Sequence, residues 1–76
     1  MIAIGDHIKR ELRAQGKSVV WFARELSCNR SNVYKIFNNT SISTHELLRI
    51  SRILGVDFFA IYSNELREGD NETVPK

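Results

Sequence analysis

Apolar residues recur along this chain at helical spacing. Ile4, Ile8 and Leu12 stand at i, i+4 and i+8, which lines one face of a helix and predicts a first helix from about Gly5 to Gln15. Lys9, Arg10 and Arg13 point away from that face, and Gly16 supplies the stop. Ser18 then reads as the N-cap of a second helix with Val19, Phe22, Ala23 and Leu26 at i, i+3, i+4 and i+7. After a three-residue break, Ser27-Cys28-Asn29, a third helix is predicted from Arg30 to Phe37, capped by Asn29 and striped by Val33, Ile36 and Phe37.

Asn38-Asn39-Thr40-Ser41 reads as a turn. Ser43-Thr44-His45-Glu46 has the capping-box pattern, with Ser43 and Glu46 each satisfying the other's amide, and opens a fourth helix that ends near Gly55. Leu47, Ile50 and Leu54 form its inner stripe, and Ser51 is the small residue where helices approach. Asp57 caps a short fifth helix from Phe58 to about Asn64. No period-2 strand pattern occurs, so the expected class is all-α, five short helices with tight connections. Residues 1–64 form the domain; residues 65–76, polar and unpatterned from Gly69 on, are read as an acidic, disordered tail.

Residues 19–38 carry the most information. Two short helices separated by three residues meet steeply only when particular positions are apolar and one is very small. Phe22, Leu26, Val33 and Ile36 fill that angle, Ala23 avoids collision with the next helix, and Cys28 is the small buried residue of the turn. Locked this way, the third helix projects Arg30, Ser31, Asn32, Tyr34 and Lys35, a donor-rich face without an acid. One helix fits a major groove. The plain alternative for Arg30 and Lys35 is a solvated helix face.

Charge distribution agrees. Residues 1–63 hold nine Lys/Arg against five acids, while residues 64–76 hold Arg67 and Lys76 against Glu65, Glu68, Asp70 and Glu72. A basic body with an acidic end fits a polyanionic partner. No apolar run is long enough for a bilayer, Met1-Ile2-Ala3-Ile4 lacks a secretory leader, and one cysteine makes no internal disulfide, so a cytoplasmic protein with no membrane partner is expected.

The chain resembles the Xre/Cro family of phage-repressor-like helix-turn-helix domains over roughly residues 4–63. The resemblance rests on Phe22-Ala23, Leu26, Ser31-Asn32-Val33-Tyr34-Lys35-Ile36, Leu47-Leu48-Arg49-Ile50 and Ile53-Leu54-Gly55-Val56. Ser27 replaces the family's turn glycine, which implies about 1 kcal/mol of backbone strain. Phe37-Asn38-Asn39 replaces the usual acid-Xaa-Gly after the recognition helix. The resemblance implies a five-helix fold and base contacts from Arg30, Ser31 and Lys35, with Asn32 and Tyr34 reaching bases, thymine methyls or phosphates. It implies phosphate contacts from Lys17, Ser18 and the Val19 amide, and from Asn38 and Thr40.

No residues suggest chemistry. His7 and His45 lie on different helices without ligand partners, so no metal is expected; no catalytic set appears, and neither an enzyme nor a cofactor is expected. Cys28, in the turn, is expected to be inert. In the family the last helix commonly forms a two-fold contact, for which Phe59 and Tyr62 are the candidates, unless they cover the domain's own core. Trp21 is expected to be partly buried. The expected function is sequence-specific binding of duplex DNA as a transcriptional regulator, with a homodimer as a further expectation. The rival reading is an antitoxin-like or adaptor module with a protein partner such as a toxin.

Overall fold

The computed structural model describes the backbone of residues 2–73 and the side chains of residues 2–68. Within them the elements are α1 (Ile4–Ala14), α2 (Val19–Leu26), α3 (Arg30–Asn38), α4 (Thr44–Leu54) and α5 (Phe59–Thr73), with no strand among the described residues.

Three of these helices end in the same way, on a left-handed residue. Gly16, Ser27 and Gly55 have φ of 72°, 58° and 68°. Past Gly16, the Lys17 amide donates to the Leu12 carbonyl (3.1 Å) and the Gly16 amide to Arg13 (2.9 Å). Past Ser27, Cys28 donates to Ala23 (2.9 Å) and Ser27 to Arg24 (3.1 Å). Both pairs are Schellman closures, which satisfy carbonyls a helix end otherwise leaves open. Serine carries out a glycine's task at position 27, as its sequence position predicts.

The N-caps form as expected. Ser18 Oγ accepts from the Trp21 amide (3.0 Å), Asn29 Oδ1 from Asn32 (2.9 Å), Ser43 Oγ from Glu46 (3.1 Å) and Asp57 Oδ1 from Phe59 (3.1 Å). The capping box is only half made, because the Glu46 carboxylate turns to Arg49 (3.4 Å) instead of back to the Ser43 amide. An ion pair one turn along is the competing partner.

The core is one cluster: Ile4, Ile8 and Leu12 from α1; Phe22, Ala23 and Leu26 from α2; Val33 from α3; Leu47, Ile50 and Leu54 from α4; and Phe58. The predicted stripes of α1 and α4 are buried whole, while Val19 of the α2 stripe and Ile36 and Phe37 of the α3 stripe are half-buried against the cluster. Two expectations shift. Cys28 and Ile36 are half-buried rather than enclosed, because the corner between α2 and α3 opens onto a surface groove bounded by both residues. Of the two-fold contact candidates, Phe59 is half-buried against the domain's own core, so only Tyr62 of that pair is exposed.

α1 packs on the end of α3 through a close backbone approach. The Gly5 amide donates to the Asn39 carbonyl (3.1 Å). A Cβ on Gly5 would lie 2.2 Å from the Ile36 carbonyl oxygen and 2.5 Å from that of Phe37.

The fifth helix is longer than its pattern predicts. Its backbone continues from Asn64 to Thr73, through residues expected to be disordered. No proline interrupts it, Glu65, Leu66, Arg67 and Glu68 are good helix formers, and Arg67 donates to Asn64 one turn back. The rest of the expected tail, residues 74–76, lies outside the described residues. No helix among the described residues is long and apolar enough to cross a membrane.

Candidate nucleic-acid interface

The helix-turn-helix corner is held by more than its own apolar filling. Arg49 of α4 donates from Nη2 to the Leu26 carbonyl at 2.9 Å, directly before the left-handed Ser27. On the other side of the domain, Gln15 donates to the Leu54 carbonyl (2.7 Å) and to Glu11 (2.9 Å), tying the end of α1 to the end of α4. Neither brace is visible in a periodicity reading, since both link distant segments through one side chain.

Val33, buried, and Ile36 and Phe37, half-buried, fix which face of α3 looks inward. At 100° per residue, Ser31, Lys35 and Asn38 then fall along the outward crest. Arg30 and Tyr34 occupy one flank and Asn32 the other. All are exposed, and α3 carries no acid. Among the described residues, the side chains of Arg30, Ser31, Asn32 and Lys35 make no internal hydrogen bond or ion pair. The ridge is not packed into the protein. Asn38 belongs to the last turn of α3 rather than to the loop beyond it.

The two flanks differ. Asn32 and Lys35 border a groove shared with Leu26, Ser27, Cys28 and Arg49. Tyr34 leans the other way, edge-on to Phe37 with ring centroids 6.1 Å apart, and Phe37 in turn stacks on Phe22 at 6.5 Å. That flank forms a second groove with Lys9, Leu12, Arg13, Lys17 and Val19. The structure thus brings Lys17 and Val19 together with Tyr34, and adds Lys9 and Arg13, which α1's amphipathic pattern marked only as solvent-facing.

At the start of α2, the Ser18 side chain is committed to the Trp21 amide, which leaves the Val19 and Val20 amides at the open end of the helix. The Lys17 ammonium sits 5.0 Å from the Trp21 ring centroid, which holds it at the rim. Trp21 itself is half-buried through packing on the core cluster. Thr40 is exposed and shares an apolar groove with Ile42, Leu47, Phe59 and Tyr62; it stands with the two-fold contact candidates rather than with α3.

Cys28 lines the groove behind the corner. Burial and the Glu46 carboxylate push its thiol up from the ordinary cysteine range, with Arg49 pulling it partly back. A raised thiol is less nucleophilic at neutral pH. No group of three or more metal-ligating side chains occurs among the described residues.

A family model described as helix-turn-helix matches residues 8–61, a span that runs from α1 into α5. Neither a curated protein nor a solved structure matches the chain.

Proposed function

Because the chain belongs to the family of Xre/Cro-like helix-turn-helix DNA-binding domains, we infer that it is a transcriptional regulator that recognises a particular duplex sequence by inserting α3 into the major groove. The observation that carries this reading is the exposed, acid-free face of α3, whose polar side chains have no partner inside the protein among the described residues. Donors left unpaired at a surface are free to meet base edges without first breaking a contact. Arg30 has the fork for guanine O6 and N7, and Lys35 serves the same edge with less discrimination. Ser31 and Asn32 complete the base-reading set. Lys17, Ser18, the Val19 amide and Asn38 fix the register through phosphates, which positions the helix without reading sequence.

Two copies related by a two-fold axis would read an inverted repeat with half-sites about one helical turn apart. Tyr62 and Leu66 support such a pairing. They lie four residues apart on α5 and are exposed by 38% and 67%, an apolar stripe the domain's own core leaves uncovered. Phe59, half-buried, supports its base.

The test is selection of bound sequences from a random duplex pool, followed by binding of the winner at several salt concentrations. An enriched motif and an affinity that falls steeply with salt are expected. Salt-independent binding, or none, would favour the rival protein-interaction reading.

A further inference from the structure

The groove beside Tyr34 gathers three cations from two separate elements: Lys9 and Arg13 from α1, and Lys17 from the α1–α2 connection, over a floor of Leu12, Val19 and Phe37. None of the three makes an ion pair among the described residues. Their neighbour Arg10, on the adjacent row of α1, is already matched to Asp6 at 2.8 Å. No acid lines the groove. Lys9 and Arg13 are one helical turn apart on the same side of α1, so their heads converge on one strip of surface.

Geometry says what that strip faces. A helix with its side chains is about 10–12 Å across and the major groove is about 12 Å wide, so a helix seated there has its flanks against the sugar-phosphate walls. Tyr34 is on such a flank, past the first turn of α3, and its ring packs edge-on to Phe37 beside α1 rather than along the crest with Ser31 and Lys35. Arg30 and Asn32, also off the crest, lie in the first turn, the end of a recognition helix that meets base edges. We propose that Lys9, Arg13 and Lys17, together with the Tyr34 hydroxyl, form a continuous phosphate-binding edge on the α1 side of the recognition helix. Tyr34 is then a backbone anchor, not a base reader, and α1 is part of the DNA interface. This rests on the reading of α3 as the groove-seated helix.

The experiment is a salt titration of binding to the selected duplex and to a mixed-sequence duplex. Each phosphate neutralised contributes about 0.9 to the slope of log affinity against log salt. The double variant Lys9→Gln/Arg13→Gln should lower the slope by about 1.8, so a fourfold rise in salt costs it roughly 12-fold less affinity than it costs the parent. Its melting temperature and its preference for the selected sequence should be unchanged. Arg10→Gln/Arg52→Gln removes the same net charge from outside the groove and should leave the slope near the parent's. Tyr34→Phe, which keeps the ring, should weaken both duplexes equally, by a few-fold, with base preference intact. A parental slope in the Lys9/Arg13 variant, an equal drop in the Arg10/Arg52 variant, or a base-specific loss from Tyr34→Phe would overturn the proposal while leaving duplex recognition by α3 standing. A parent protein with no salt-dependent duplex binding would remove both.

Discussion

Arg49 donates a hydrogen bond from Nη2 to the Leu26 carbonyl at 2.9 Å, so α4 holds the last carbonyl before the corner that aims α3. The same guanidinium reaches Glu46 at 3.4 Å, which fixes the fork on α4. A half-exposed charged donor to a carbonyl contributes on the order of 1 kcal/mol. Arg49→Met, which keeps the stem, should lower the melting temperature by about 5 °C and speed amide exchange at Ser27 and Cys28. Unchanged exchange at both would show that the corner holds without the brace.

Gly5 is required by space rather than by a turn. A methyl group there would meet backbone oxygens at 2.2 and 2.5 Å, and backbone cannot rotate away as a side chain can. Alanine would otherwise favour the helix by about 1 kcal/mol. Overpacking outweighs that gain, so Gly5→Ala should cost about 2 kcal/mol or more and lower the melting temperature by roughly 10 °C. A variant as stable as the parent would mean α1 can slide along α3 freely.

Ser27, at φ 58°, occupies the region L-residues with a Cβ resist. Ser27→Gly should raise stability by about 0.5–1 kcal/mol, less than the full relief of strain because glycine also loosens the unfolded chain. Ser27→Ala keeps the Cβ and should bring no gain. Equal stabilisation by both would trace the effect to the hydroxyl instead.

Tyr62→Glu/Leu66→Glu puts two carboxylates on the exposed stripe of α5. If that stripe joins two copies, the parent's sedimentation-equilibrium mass should rise toward twice the monomer's with concentration, and the variant's should stay at the monomer's. The domain core, which contains neither residue, should melt as before. A parent that stays monomeric at every concentration rules the contact out.

Much of this fold is legible one helix at a time. Ile4, Ile8 and Leu12, or Leu47, Ile50 and Leu54, declare their buried faces by spacing alone, and Ser18, Asn29, Ser43 and Asp57 declare the helix starts because a cap is a contact over two or three residues. What escaped such reading depends on partners far along the chain. Gly5 is crowded by α3, Gln15 finds Leu54, and Arg49 finds Leu26. Glu46 has two partners within reach, and its pattern cannot rank them. The exposed set on α3 was legible as a set, but its division into crest and flanks was not, because the half-burial of Phe37 decides how the helix is rolled. The length of α5 escaped for a simpler reason: a polar helix with no apolar stripe past Leu66 leaves no periodic trace.

The most direct test of recognition by α3 compares Arg30→Ala with Lys17→Gln on the selected duplex and on versions of it altered one base pair at a time. Arg30→Ala should abolish discrimination at one position, about 1–3 kcal/mol, and leave the others intact. Lys17→Gln should weaken binding to all of them alike. If Arg30→Ala weakens every duplex equally and spares all base preferences, α3 does not read the groove through that residue and the account fails at its centre.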